Sequence, residues 1–424
     1  MTPQKIRLVT AFLIVFFVGY FVGLQKVRWD WHNYKPNITI VNKEPPSSAS
    51  LVDFGLFWNV WDKLTTNYYQ PKAVDPQKLL YGAISGMVAS VGDPYTMFLP
   101  PQQQSSFQQQ MAGQFTGIGA ELGLKDNKII VISPLTGSPA MKDGVKAGDT
   151  IVAVDGKSTD GWSLTQAVDK IRGPKGTKVT LSILHQNEKS PTNIVITRDV
   201  ITVKSVDGWV QKVKDVQGVN LQKSSLANES VMYLRLSQFG DSTDSDWQHL
   251  VSSLDKQVKN GTVKGIILDL RNNPGGYLTD ATFIAGEFLP VGTPVVMEEG
   301  ASGEKTTLSV TRKGMLVNNI PMVVLINRGS ASAAEILSGA LRDNNRAKLV
   351  GDRSFGKGIV QEALDLGNGA AMHVTVAKWL TPNGTWVGNG VDGKGLTPDV
   401  SVSLDPKDPA HDIQLEKAIE TVLQ

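Results

Sequence analysis

PMVVLINRGSASAAEILSGALRDNN, residues 321–345, changes character halfway along. Met322 to Ile326 is a short unbroken apolar run between a proline and a polar turn, the pattern of a strand buried on both faces. From Ser332 onward, small and apolar residues return at helical spacing, so the strand feeds a helix. Other segments repeat the arrangement. VMYLRLSQF and VKGIILDL read as strands with the helical DSDWQHLVSSLDKQVKNG between them, TDATFIAGEFL as a helix, and PVVME as a strand. This alternation predicts parallel strands joined by crossover helices, an α/β layer.

The junction NRGSASAAEI (327–336) holds two serines, Ser330 and Ser332. At a helix start, unpaired N–H groups and the helix dipole favour a developing oxyanion, and small neighbours let a carbonyl approach. Serine also caps helices in such places without doing chemistry. The stretch alone leaves both readings open. A serine nucleophile needs a base. None of the five histidines (His32, His185, His249, His373, His411) lies in a glycine-flanked turn, and no G-x-S-x-G elbow is present. A Ser-His-Asp triad is therefore disfavoured, with His373 left open.

GDRSFGKGIVQ (351–361) offers another base, because Lys357 stands between Gly356 and Gly358. A free lysine of pKa ~10.4 is neutral in under about one molecule in a thousand at pH 7. Burial lowers that pKa by several units and makes lysine a usable general base; exposed, it is only a loop residue. Gly351 to Lys357 also spells the start of a phosphate-binding loop, but Gly358 replaces the hydroxyl residue that would hold Mg²⁺. In IILDLRNNPGGYLTDA (266–281) a strand runs into Gly275 and Gly276. Consecutive glycines there either present N–H groups to an anion or simply turn the chain.

The remainder sorts into segments. Residues 8–24 are uncharged and mostly apolar, follow Lys5 and Arg7, and reach the lower limit for a membrane-spanning helix. No A-x-A-like cleavage site follows, and Trp29 and Trp31 suit an interface, so residues 1–25 are expected to be an uncleaved anchor with the bulk of the chain outside the cytoplasm. Residues 26–50 read as a flexible linker and 51–112 as a helical region, with Asp75 capping a helix at Pro76. Residues 113–203 have short strands, glycine turns and one helix, SLTQAVDKIRG. Residues 204–403 are the α/β core and 404–424 a C-terminal helical segment. With 424 residues the chain has room for two or three domains. A net charge of +2 without a basic cluster argues against nucleic acid. The lack of cysteine excludes disulfides and thiol chemistry, and fits an extracytoplasmic setting.

Taken in order, GDPYT, FTGIGAEL, SPLTGSPAMKDGVKAGDTIVAVDGKS, IRGPKGTKVTL, YLRLSQF, LDLRNNPGG, GSASAAEI, GDRSFGKGIVQ, TVAKWLTPNG and GVDGKGLTPD are jointly specific. The chain resembles the carboxyl-terminal processing (tail-specific) peptidases, serine–lysine endopeptidases that carry a PDZ domain. The resemblance implies a helical N-terminal region, a PDZ-like β-rich domain and an α/β core of the crotonase/ClpP-like type. It matches the nucleophile to Ser332, the base to Lys357 and an orienting residue to Gln361. Oxyanion donors map to the amides of Ala333 and of Gly275 or Gly276. The PDZ loop for a C-terminal carboxylate maps to Thr116, Gly117, Ile118 and Gly119. Arg172 maps to a position that couples the PDZ domain to the active site; by itself it reads as a helix-end arginine. Implied partners are protein or peptide tails and, through the N-terminal helix, a membrane; no cofactor or metal is implied. A homo-oligomer or regulatory partner stays open. The alternative is a tethered PDZ-type binding protein that has lost catalysis on the same fold.

Overall fold

The computed structural model describes residues 10, 12–16, 27–32, 35–40, 52–125, 128–135, 137–186, 188–202, 204–317, 319–388, 394–405, 408 and 410–424. Most of the expected anchor, 8–24, lies outside these; residues 10 and 12–16 are helical. No described helix is long and apolar enough to cross a membrane. The chain forms two compact units, residues 1–102 with 363–373, and residues 103–362 with 374–424.

In the smaller unit, β1 (Val27–His32) and β2 (Lys35–Ile40) make an antiparallel hairpin inside the interval read as linker. The physical reason is β-propensity: valine, tryptophan, isoleucine and threonine outweigh the polar composition. Helix α1 (Gly55–Asn67) carries the expected aromatic stripe but buries none of it. Phe57, Trp58 and Trp61 pack against one another instead, with ring centroids 5.0 to 6.2 Å apart, edge-on except for the tilted Phe57–Trp61 pair. Helix α2 (Pro76–Ala89) starts as expected, with Asp75 accepting from the amides of Gln77 and Lys78. Val88 of α2, Phe98 of β3 (Met97–Leu99) and Ala370 form its small core. Helix α3 (Pro101–Met111), which from residue 103 onward belongs to the larger unit, was not anticipated. Its glutamine-rich sequence has no apolar stripe, and Pro101 serves as a permitted first-turn residue rather than a breaker.

The larger unit holds two cores. In the first, β4 (Gln114–Gly117), β5 (Ala120–Lys125), β6 (Lys128–Pro134), α4 (Pro139–Lys142), β7 (Thr150–Val154), β8 (Lys157–Ser158), α5 (Leu164–Ile171), β9 (Lys178–Leu184), β10 (Thr192–Thr197) and β11 (Asp199–Thr202) follow in order. The sheet runs β10-β9-β7-β6-β5, and β4 pairs separately with β11. Alternate residues of β9, Val179, Leu181 and Ile183, point into the core, giving the period of two expected of a half-buried strand.

The second core contains β12 (Val206–Lys212), β13 (Ser230–Leu236), α6 (Thr243–Lys259), β14 (Val263–Asp269), α7 (Leu278–Phe288), β15 (Pro294–Gly300), β16 (Lys305–Ser309), β17 (Met322–Ile326), α8 (Ala333–Asp343), β18 (Lys348–Gly351), β19 (Ile359–Gly367), β20 (Ala370–Leu380), β21 (Val400–Ser401) and α9 (Ile413–Leu423), with residues 363–373 of β19 and β20 counted in the smaller unit. The sheet order is β12-β13-β14-β17-β18-β21, parallel from β13 onward. Val324 and Ile326 pack on the side of α6, α7 and α8, while Val323 and Leu325 pack under α9. Burial on both faces explains the unbroken apolar run. The expected parallel order does not extend to β15, which joins β16, β20 and β19 in a separate sheet. There it pairs antiparallel with β20, from Met297↔Leu380 to Gly300↔Ala377.

Candidate active site

Helices α7 and α8 both begin where a parallel strand ends, so their starts line one edge of the sheet. Ser332 is the N-cap residue of α8, with φ 54° and ψ −116°. A non-glycine residue in that region stores roughly 1–3 kcal/mol of backbone strain, which surrounding bonds must hold. Ser332 N donates to Glu335 Oε2 at 2.9 Å. Ser330 differs. It is fully buried, its Oγ donates to Leu270 O at 2.7 Å, and the same oxygen accepts from Asn327 N at 3.0 Å. It fastens β17 to the turn after β14.

That turn supplies the next wall. At Gly275 (φ 96°) a Cβ would lie 2.7 Å from Ser332 Cβ and 3.0 Å from Ala333 N, so only glycine lets it seat against the serine. The two glycines divide in role. Gly275 N donates to Asn273 Oδ1 at 2.8 Å and is occupied. Gly276 N has no acceptor among the described residues; its neighbours are fixed by Phe239 N to Gly275 O at 3.0 Å and Tyr277 N to Phe239 O at 3.2 Å. Ala333, the first residue of α8, likewise has an amide without an intrahelical acceptor.

Lys357 lies in the turn between β18 and β19, half-buried, and its Nζ donates to Gln361 Oε1 at 2.5 Å. Gly358 permits this turn, because a Cβ there would come within 2.3 Å of Gly388 N. Gly358 O accepts from Trp386 Nε1 at 2.8 Å. A strand, not a helix, follows Lys357, as the failed phosphate-loop match anticipates.

Sequence reasoning missed the residue that joins these parts. Glu335 is wholly buried, and its carboxylate accepts from Ser332 N (2.9 Å), Ser354 Oγ (2.6 Å), Gly356 N (2.6 Å) and Lys357 N (3.0 Å). Burial raises its pKa, and the bonds from Ser354, Lys357, Gly356 and Ser332 pull the other way. The spacing S-x-x-E, Ser332 to Glu335, is the capping signature that could have revealed it. No histidine bonds to Ser332 among the described residues. His185 and His411 are held by Asp149 and Glu416, and His373 belongs to the smaller unit.

The PDZ-loop residues Thr116, Gly117, Ile118 and Gly119 border one open cavity of about 350 Å³, with Leu122 and Val168 on its apolar walls. The carbonyls of Ile118 and Gly119 accept from Ala140 N (2.8 Å) and Leu135 N (2.9 Å), while their own amides have no acceptor among the described residues. Arg172, just past α5, borders the same cavity with its guanidinium 5.3 Å from the Phe115 ring centre. Phe115 also borders a second trough of about 270 Å³ that reaches Pro274 of the glycine turn. The structure thus brings together Ser332, Ala333, Gly275 and Lys357 with Gln361 in one place, and the PDZ residues in another.

Known proteins carry the same parts. The family described as Peptidase family S41 matches residues 230–402, a PDZ domain matches 105–184, and the CtpB activating-protease N-terminal domain matches 13–102. The carboxy-terminal-processing protease of Bartonella bacilliformis is 36% identical over 88% of this chain and 80% of its own length. The carboxy-terminal processing protease CtpB of Bacillus subtilis is 36% identical over 84% of this chain and 70% of its own. The solved structure of the photosystem II D1 C-terminal processing protease superposes with a TM-score of 0.51 at 30% identity, covering 87% of this chain and 91% of that one. The chain belongs to peptidase family S41, the carboxy-terminal processing serine proteases, with a PDZ domain ahead of its peptidase domain.

Proposed function

We propose that the chain hydrolyses peptide bonds with Ser332 as nucleophile and Lys357 as its general base, on protein substrates held by their C-terminal tails. Neutral Lys357 Nζ takes the proton of Ser332 Oγ as that oxygen attacks the scissile carbonyl carbon. The carbonyl oxygen becomes an oxyanion and accepts from the amides of Ala333 and Gly276. Collapse breaks the C–N bond, and Lys357 returns the proton to the leaving nitrogen. Water, deprotonated by the same lysine, then attacks the acyl carbon, the ester C–O bond to Ser332 breaks, and the lysine gives the proton back to Ser332 Oγ. Gln361 holds the ammonium or amine in place through Oε1.

One observation carries the pairing: a single oxygen, Glu335 Oε2, receives both Ser332 N and Lys357 N, so the serine corner and the lysine turn are tied to one point. The test is turnover of an internally quenched peptide with a free apolar C-terminus. Ser332→Ala and Lys357→Ala should each abolish it while tail binding persists, and amidating the peptide should raise KM. Activity surviving in Ser332→Ala would overturn the assignment. In the wild type, turnover should rise with pH as Lys357 loses its proton.

In this reading the free amides of Ile118 and Gly119 take the terminal carboxylate, the loop from Thr116 to Gly119 seats the tail, and Arg172 couples the occupied pocket to the peptidase core. Residues 8–24 anchor the chain in a membrane with its catalytic part outside the cytoplasm. The support for anchoring is the 17-residue uncharged run at the edge of spanning length, and the absence of cysteine fits the extracytoplasmic placement. Removing residues 1–25 should move the protein from the membrane pellet to the supernatant, whereas wild-type protein found in the supernatant would refute anchoring.

A further inference from the structure

Both arms of the site are rooted on the last helix. Arg271 stands 276 − 271 = 5 residues before Gly276, and Asp352 stands 357 − 352 = 5 residues before Lys357. Arg271 binds Asp269 on one side and, through its two terminal nitrogens, Asp412 at 2.8 and 2.9 Å on the other. Asp412 is also the N-cap of α9, accepting from Leu415 N at 2.9 Å. Two residues on, Gln414 is wholly buried and spans the gap between the arms. Its Oε1 accepts from Arg271 at 3.2 Å, and its Nε2 donates to Asp352 Oδ2 at 3.0 Å and Val402 O at 2.7 Å.

The chemistry of this bridge is restrictive. A guanidinium requires an acceptor and a carboxylate requires a donor, and a primary amide offers both. Glutamate would keep the Arg271 bond but set a second carboxylate against Asp352. An apolar side chain would break the link between the arms, leaving Arg271 only Asp269 and Asp412 and leaving Asp352 Oδ2 without its Gln414 donor. The network therefore fixes the spacing between the oxyanion turn and the lysine turn from behind the sheet, without touching substrate.

We propose that the first turn of α9 is a positioning clamp, with Gln414 as the positioning residue that holds the roots of the two arms at a set distance. The proposal rests on the Ser332–Lys357 reading. Loss of the clamp should lower kcat while leaving KM nearly unchanged, because tail capture in the PDZ cavity does not involve it.

The experiment compares full-length wild type, Gln414→Glu, and the pair Gln414→Glu with Asp352→Asn, on the quenched peptide, with tail-peptide binding as the control for folding. Misplacing one arm by a fraction of an ångström to an ångström should cut kcat in Gln414→Glu by roughly tenfold to a hundredfold, with KM within about twofold. Asp352→Asn supplies a donor to the new carboxylate and should return kcat part of the way toward wild type, the Val402 carbonyl still lacking its donor. Unchanged kcat in Gln414→Glu, or no recovery in the pair, overturns the clamp. If Gln414→Glu does not fold, recovery of folded, active protein in the pair supports the clamp and its absence overturns it. Ser332→Ala and Lys357→Ala run in parallel. Turnover surviving in those two refutes the dyad, whereas dead dyad variants with an unaffected Gln414→Glu refute the clamp alone.

Discussion

Helices α7 and α8 make an instructive pair. Each follows a parallel strand, and each carries a buried acid three residues past its N-cap: Asp280 after Tyr277, and Glu335 after Ser332. Burial raises the pKa of both. What they do with it differs. Glu335 has four donors and joins two loops through them. Asp280 accepts from Thr279 Oγ1 at 3.3 Å, and its other oxygen has no partner among the described residues. Burial first, and then the nearby Asp244 carboxylate, push its pKa up to about 7. One local pattern has produced a joint in α8 and a half-satisfied acid in α7. Long-range donors make the difference, since Ser354, Gly356 and Lys357 arrive from a turn some 20 residues later.

The largest test of that contrast is Glu335→Gln. An amide keeps one acceptor oxygen but turns a donor toward two of the four donors, leaving them unpaired at about 1–3 kcal/mol each. The serine corner and lysine turn should part, and kcat should fall about a hundredfold. A variant within twofold of wild type would mean that the carboxylate merely caps the helix.

Asp280→Asn should act in the opposite direction, on stability. Asp280 titrates higher when folded than the ordinary 3.8, so the folded state holds the proton between roughly pH 4 and 7. Wild-type stability therefore drains away as pH rises through that window, and the burden is complete above about pH 7. The asparagine amide carries no charge to be repelled by the nearby Asp244 carboxylate and does not titrate. The gain should be on the order of 2 kcal/mol at pH 8 and fade toward pH 4. Thermal melting at the two pH values checks this, and equal gains at both would remove Asp280 as the cause.

Asp244→Asn should have the smallest effect. It removes only the second cause of the Asp280 shift, so the midpoint of the pH–stability curve should move down by less than about one unit. An unmoved midpoint would leave burial as the sole cause.

Much of the peptidase core was legible because its signals are local. An unbroken apolar run marked strand β17, largely apolar stretches marked β13 and β14, and helical spacing marked α6 and α8. Ser332, Lys357 and Gln361 stand in short motifs that the family resemblance could align. The rest depends on contacts that no window of sequence contains. Gln414 meets Arg271 across 143 positions, and β15 leaves the parallel sheet to pair with β20. Choosing Gly276 over Gly275 required knowing that Asn273 already occupies one amide. Helix α3 was hidden because polar glutamines carry no period, and the exposed stripe of α1 has the period without the burial.

The backbone of Ser332 has a consequence for how this protein can change. Glycine adopts φ 54° freely, so Ser332→Gly should melt no lower than wild type, and by relief of strain somewhat higher, while being inert as an enzyme. Random mutation selected only for foldedness would drift toward that residue. Under the proposed assignment, a serine in a conformation that glycine would adopt more easily gives up some stability of the fold for turnover.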